Sequence, residues 1–170
     1  MKTRRLVLLS MLIAINVVLS IVPPIDLKNF RFTFEAFPIL FAAITFGPID
    51  GLIVGGLGSA IYQLFFTKYG ITLTTPLWII PHAISGYVVG LYSKKHGYNL
   101  TQNQAISITI ASSLLVTLLN TAVIYIDAKI YGYYSFAYVF GLIIFKIIAG
   151  VMLAIIYSIT IPKILKRFKI

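Results

Sequence analysis

Apolar stretches recur along the whole chain, and only short polar gaps separate them. We interpret six of them as membrane-spanning helices, over residues 6–22, 35–46, 51–66, 76–92, 105–126 and 136–161. A helix needs about 20 apolar residues to cross a bilayer, and fewer when it is short or buried among other helices. Charged residues make up only 11% of the chain, against about 25% in soluble domains. The sequence therefore predicts an all-α integral membrane protein, a six-transmembrane-helix bundle that forms one transmembrane domain over residues 1–170.

Turn residues mark where the first two of these helices end. The first predicted helix stops before Pro23 and Pro24, and the second stops before Gly47 and Pro48. The N-terminus is basic, as in a signal peptide, but no small-residue cleavage site follows the first apolar run. We therefore expect the first helix to be retained.

The basic residues predict the orientation in the membrane, because short cytoplasmic loops are rich in Lys and Arg. Six spans place both termini on one side, and that side then carries nine basic residues against four on the other. The nine are Lys2, Arg4, Arg5, Lys94, Lys95, Lys163, Lys166, Arg167 and Lys169. We therefore predict that both termini are cytoplasmic, and we interpret the net charge of +10 as topology rather than nucleic-acid binding.

Several classes of activity have no matching motif in the sequence. There is no cysteine, which excludes disulfides and thiolate metal sites. The phosphate-binding loop, the H-E-x-x-H zinc motif and the G-x-S-x-G nucleophile motif are absent, so we expect neither an enzyme nor a cofactor or resident metal. The four acidic residues fall at loops or span edges, so none is placed to couple transport to an ion gradient.

Lys146 is the one charged residue deep inside a predicted span, in the run LIIFKIIAGVM. A charge in the bilayer is costly unless it pairs, faces a cavity or reaches the interface. We interpret Lys146 as the counter-charge for an anionic ligand that enters from outside. The alternatives are a lysine whose ammonium reaches the outer interface and an ion pair with Asp127.

Polar side chains on the fourth and fifth predicted helices are further candidates for ligand binding. Trp78 and His82 are one helical turn apart, with Thr74 just before them, and such a group can hold a heteroaromatic ring by stacking and hydrogen bonds. The alternative is an interfacial tryptophan and a histidine bonded to another helix. Asn120, midway along the fifth helix, is suited either to bond a ligand or to bridge two helices.

Two further pairs of residues are candidates for ligand binding or for contact with a partner. Arg31, in the first predicted outer loop, is a candidate ligand-binding cation, and Glu35 one turn later is interpreted as its ion-pair partner. Ser10 and Ala14 form a small-xxx-small pair in the first helix, which allows another helix to approach closely. The alternative for this second pair is packing within the bundle itself.

Over nearly its whole length the chain resembles the S components of energy-coupling factor (ECF) vitamin transporters. The resemblance rests on the small-residue pair of the first helix, on FEAFPILFAAITFGPIDGLIVGGLGSAI and YGITLTTPLWIIPHAISGYVVGLYSKK, on LLNT in the fifth helix and on the basic residue in the sixth. GITLT at residues 70–74, LLNT and Lys146 are most similar to the folate branch, while Ser59 stands where folate-type members usually place an aspartate. The pantothenate and hydroxymethylpyrimidine branches stay open.

The resemblance implies a substrate-binding subunit of a prokaryotic plasma membrane, with no ATPase of its own. Such a subunit captures a vitamin, here best matched by folate, at the extracellular face and docks on a membrane coupling subunit and two cytoplasmic ATPases. Ser10 and Ala14 are then expected to contact the coupling subunit. The residues expected to bind the vitamin are Arg31, Thr74, Trp78, His82, Asn120 and Lys146. The competing hypothesis is a structural or assembly membrane protein that binds no small molecule.

Overall fold

The computed structural model describes residues 2–21, 25–27, 30–67 and 70–168, of which residues 2, 25–27, 30–32 and 168 are described by their backbone alone. Within these ranges the chain forms seven α-helices, a short 3₁₀ helix over Thr75–Trp78 and a two-stranded hairpin. The helices are α1 (Lys2–Ile21), α2 (Ala36–Phe46), α3 (Pro48–Phe65), α4 (Ile80–Lys95), α5 (Gln102–Ile130), α6 (Phe136–Phe140) and α7 (Ile143–Phe168). The hairpin pairs β1 (Ile25–Leu27) antiparallel with β2 (Phe30–Phe32).

The helices match the six predicted spans, with two differences of architecture. The sixth span is not one helix, because α6 ends at Phe140 and α7 begins at Ile143. Gly141, a poor helix former, lies in this interruption. The fourth span begins as the 3₁₀ helix, and Pro81 follows in the first turn of α4, where its missing N–H costs no hydrogen bond. The hairpin between α1 and α2 was not predicted.

The turn predicted at Gly47 and Pro48 is confirmed. Gly47 has φ 105°, a left-handed conformation that residues with a Cβ rarely adopt. Pro48 is the first residue of α3, where its fixed φ favours the helix. The chain therefore passes from α2 to α3 with a single residue between the two helices.

Helix α2 lies at the centre of the bundle, and six of its eleven residues are buried. One of its faces packs on α4, α5 and α7, and the other packs on α1 and α3. The first contact consists of Leu40, Ala43, Ile44, Val89, Ile108, Leu153, Tyr157 and Ile161. The second consists of Leu9, Ile39, Ala42 and Val54.

Glycines bring α3 and α4 into backbone contact. A Cβ added at Gly51 would lie 2.8 Å from the carbonyl carbon of Gly86 and 2.7 Å from the Cβ of Ala43. Both distances are shorter than van der Waals contact, so this crossing accepts no larger residue without moving a helix. Small residues serve the same purpose at helix contacts in membrane proteins generally.

An ion pair joins α1 to α3 at the end of the bundle opposite the hairpin. Asp50 lies in the first turn of α3 and is buried, and its Oδ2 accepts a hydrogen bond from Arg5 Nε at 2.9 Å. The Arg5 Nη2 group contacts the same oxygen. A carboxylate in the first turn also interacts favourably with the helix dipole.

The outside of the bundle is apolar, and polar side chains lie inside it. Large exposed side chains include Leu6, Met11, Val18, Leu118 and Ile144, whereas Ser85, Ser93, Thr109, Ser112 and Ser158 are buried. The segments Thr3–Ile21, Gln102–Ile130 and Phe136–Arg167 are long and apolar enough to cross a bilayer, and Ala36–Phe46 is a shorter apolar helix. This distribution is the one a lipid environment selects. The protein is an all-α integral membrane bundle.

Candidate ligand-binding site

A cavity of about 1070 Å³ lies between the helices. It lies toward the end of the bundle that carries the hairpin, the 70–75 segment and α6. It is lined by side chains of α2, α3, α4, α5, α6 and α7 and of the segment around the 3₁₀ helix. Sites for small organic ligands usually measure about 300–1,000 Å³. The cavity is thus large enough for a ligand of several rings or a ring with a long substituent.

Lys146 lines this cavity from the first turn of α7. Its Nζ atom is buried and has no hydrogen-bond partner among the described residues. Asp127, the alternative partner, instead accepts hydrogen bonds from the hydroxyls of Thr74 and Tyr133. A buried ammonium without a partner is costly, so Lys146 leaves an unsatisfied positive charge at the cavity wall.

Asp127 ties the 70–75 segment to the end of α5. Besides the bond from Thr74 Oγ1 to Asp127, the backbone N–H of Leu73 donates to the hydroxyl of Tyr131 at 3.2 Å. Thr74 is buried behind the cavity wall and does not line the cavity, whereas its neighbours Thr72 and Thr75 do. In this structure Thr74, a predicted ligand contact, therefore bonds to another part of the cavity wall.

Trp78 and His82 both line the cavity, as expected for a ring-binding group. The Nε2 atom of His82 lies 3.7 Å from Oε1 of Glu35, which also lines the cavity. Glu35 Oε2 accepts a hydrogen bond from Ser20 Oγ at 2.5 Å. The side chain of Arg31, the predicted partner of Glu35 and a predicted ligand-binding residue, lies outside the described residues.

Asn120 lines the cavity from α5 and makes no hydrogen bond to another described residue, so it does not bridge two helices there. It belongs to a series of cavity-lining residues on α5 with spacings of one, three and four, which is the pattern of one helix face. The series comprises Thr109, Ser112, Ser113, Val116, Thr117, Asn120, Ile124 and Asp127. Its polar members give α5 a hydrophilic face inside a membrane protein.

Apart from Asn120, the cavity-lining residues of the α5 series and several residues on other helices were not predicted as site residues from the sequence. The α5 series does have a sequence signal, since hydroxyl and amide side chains recur at helical spacing in an apolar segment. Glu35 and Tyr157 have no such signal, because each is a single polar residue whose position depends on helices distant in the chain. Both line the cavity.

Ser10 and Ala14 lie far from this cavity, exposed on the outer face of α1. The Ser10 hydroxyl bonds to the carbonyl of Leu6 in its own helix, at 3.0 Å. The large side chains around the pair, Val7, Met11 and Val18, are exposed as well. This surface therefore does not pack against the described part of the bundle.

Comparison with solved structures identifies the fold. The S component of a bacterial ECF transporter superposes with a TM-score of 0.73 and 22% identity over 100% of both chains. An S component for biotin from an ECF-type ABC transporter gives 0.69 and 14%, over 97% of this chain and 92% of the other. FolT bound with folic acid gives 0.62 and 20%, over 91% and 93%.

Comparison of the sequence with models of known families identifies the family of this protein. No curated protein matches the chain. The sequence model of the family described as the S component of ECF-type riboflavin transporters does match, over residues 1–167. Members of this family are substrate-binding transport subunits and not enzymes, which agrees with the expected absence of catalysis. Because the match covers nearly the whole chain, the protein belongs to the family of ECF-type riboflavin transporter S components.

Proposed function

We propose that the protein captures a vitamin in the cavity between its helices and delivers it to an ECF coupling subunit with two ATPases. The cavity end of the bundle faces the extracellular side, and both termini are cytoplasmic. The excess of basic residues in the segments opposite the cavity supports this orientation, because short cytoplasmic loops are rich in Lys and Arg.

The observation that carries the vitamin assignment is the unpartnered ammonium of Lys146 in the cavity wall. A ligand with a carboxylate would satisfy this charge by a charge-assisted hydrogen bond. Trp78 and Asn120 on the same cavity offer a stacking surface and an amide. Folate, which joins a pterin ring to a glutamate tail, meets all three requirements and is the proposed ligand. Arg31 and His82 are proposed to contribute further contacts to it.

Riboflavin is the second candidate, and the description of the matching family favours it. Its isoalloxazine ring also stacks on aromatic side chains, and its ring carbonyls accept hydrogen bonds from an ammonium. It has no carboxylate, so it would leave Lys146 without a counter-charge. Folate binding is therefore expected to depend on the charge of Lys146, whereas riboflavin binding is not.

Calorimetric titration of the purified protein with folate, riboflavin, pantothenate, biotin, thiamin and hydroxymethylpyrimidine tests the proposal. We expect saturable binding of folate at submicromolar concentration. Vitamins that lack either a ring or a carboxylate are expected to bind at least about 100-fold more weakly. Tight binding of riboflavin alone would replace folate by the second candidate. No binding across the panel would contradict vitamin capture and favour the structural hypothesis.

The exposed pair Ser10 and Ala14 is proposed to be the contact with the coupling subunit. Ala14→Phe would fill the space that a close helix crossing needs, so we expect it to lower association with the coupling subunit about tenfold or more while vitamin binding is unchanged. The matched control is Ala122→Phe, the same change at an exposed position of α5. Co-purification with a tagged coupling subunit measures the effect, and equal association of the two variants would exclude this surface.

A further inference from the structure

We propose that Glu35 determines which heterocycle the cavity accepts, by pairing with two adjacent N–H donors on the ring. The ring selected is a 2-amino-4-oxopyrimidine fused to a second ring, as in a pterin. A 2,4-dioxo ring, such as that of a flavin, is disfavoured. The inference rests on the proposed function, because it requires the cavity to be the vitamin site.

Two side chains of α1 hold Glu35 in place. It is the residue before α2, and its carboxylate makes no hydrogen bond to the N-terminal turn of that helix. Instead Oε2 accepts from Ser20 Oγ of α1 at 2.5 Å, and the backbone carbonyl of Glu35 accepts from Asn16 Nδ2 at 2.7 Å. The carboxylate is thus directed into the cavity by α1 rather than used to cap α2.

The Glu35 carboxylate keeps unused acceptor capacity at the cavity wall. An ionised carboxylate has about four acceptor positions on its two oxygens and no donor. Ser20 occupies one of them, and the His82 nitrogen at 3.7 Å from Oε1 lies beyond hydrogen-bond distance. A ligand that completes this group must therefore present N–H or O–H donors.

A second unsatisfied polar group lies near the start of α2. Tyr157 of α7 lines the cavity and is only 5% exposed, and its hydroxyl has no hydrogen-bond partner among the described residues. Its ring centroid lies 5.8 Å from that of Phe37, two residues after Glu35. Buried hydroxyls are normally satisfied, so this one indicates a polar ligand at the same side of the cavity.

The ring chemistry follows from the charge of Glu35. A 2-amino-4-oxopyrimidine edge presents the ring N–H and the 2-amino group side by side, which matches the two oxygens of a carboxylate. A 2,4-dioxo edge presents one N–H between two carbonyl oxygens, and at least one of these oxygens would face the carboxylate. The first edge forms a charge-assisted bidentate pair with Glu35, whereas the second forms at most one such bond and is repelled at a carbonyl oxygen, so we expect the first edge to bind more tightly.

The opposite charges of Glu35 and Lys146 also predict the direction in which the ligand binds. Glu35 precedes α2, whereas Lys146 lies on α7 with Asn120 of α5 on the same cavity. The carboxylates of a folate tail are repelled by Glu35 and attracted by Lys146. The ring therefore binds toward Glu35 and the tail toward Lys146.

The test compares pterin with lumazine, which has the same bicyclic ring but a 2-oxo group in place of the 2-amino group. Wild-type protein is expected to bind pterin at least about tenfold more tightly than lumazine by calorimetry. Glu35→Gln carries one acceptor and one donor, and we expect it to reduce this preference to about one or to reverse it. The ratio is insensitive to a partial loss of folded protein, because both ligands are measured on the same sample.

The conservative variant Glu35→Asp keeps a carboxylate at this position, and we expect it to keep the preference for pterin even if both ligands bind more weakly. Equal affinity of wild-type protein for pterin and lumazine would overturn the inference without any variant. An unchanged preference in Glu35→Gln, with folate still bound, would overturn it and leave the proposed function standing. Binding of riboflavin but of no pterin would overturn both the inference and the folate assignment.

Discussion

Lys146→Met is expected to weaken folate binding about 10- to 100-fold and, at the same time, to stabilise the ligand-free protein by about 1–3 kcal/mol. The two effects have one cause. The ammonium is buried without a partner in the empty cavity, where it is costly, and it gains its partner only when a carboxylate binds. Methionine has a similar length and no charge, so it removes both the cost and the gain. Calorimetry measures the affinity, and thermal unfolding in detergent measures the stability.

Lys129→Met is the matched control, because Lys129 has the same charge near the same end of the bundle but is exposed and does not line the cavity. Its Nζ lies 4.2 Å from the centroid of the Tyr134 ring. We expect neither quantity to change appreciably in this variant. Folate affinity that is unchanged in Lys146→Met would remove the lysine from the site. Weaker binding without a gain in stability would mean that the ammonium is solvated in the empty protein.

The helical architecture could be predicted because it depends on local signals. Apolar runs, prolines and the Gly47–Pro48 turn each act on the chain within a few residues, and the helices follow them. The division of the sixth span was missed because Gly141 is a weak signal inside a strongly apolar segment. The hairpin was missed because three-residue strands are too short to show an alternating pattern.

Residues of the candidate site could be predicted only where a polar side chain stands out from its own segment. Lys146, Asn120, Trp78 and His82 do so, and the structure brings all four to one cavity. Thr74 was predicted as well, but its hydroxyl bonds to Asp127 and it does not line the cavity. The proposed role of Glu35 depends on contacts with α1 and α4, which are 15 and more residues away in the chain. Such convergence is a property of helix packing and has no local signature.

Gly51→Ala is expected to destabilise the protein by about 2–3 kcal/mol, which corresponds to a decrease of about 5–10 °C in Tm. The added methyl group would lie 2.8 Å from the carbonyl carbon of Gly86 and 2.7 Å from the Cβ of Ala43. Neither neighbour is the flexible end of a side chain, so α3 and α4 must separate. Since Ala43 belongs to the buried face of α2, the displacement also reaches the helix that lines the cavity, and we expect weaker ligand binding. Thermal unfolding and calorimetry measure the two effects.

Gly56→Ala is the matched control on the same helix. A Cβ at Gly56 has only the Cβ of Ala83 nearby, at 3.6 Å, which is ordinary van der Waals contact. Alanine favours the helix over glycine by about 1 kcal/mol, so this variant is expected to be neutral or more stable. The two variants make the same chemical change in one helix, and they differ only in what the methyl group meets. If Gly51→Ala were as stable as Gly56→Ala, the crossing of α3 and α4 would have room for a methyl group and would not depend on glycine at this position.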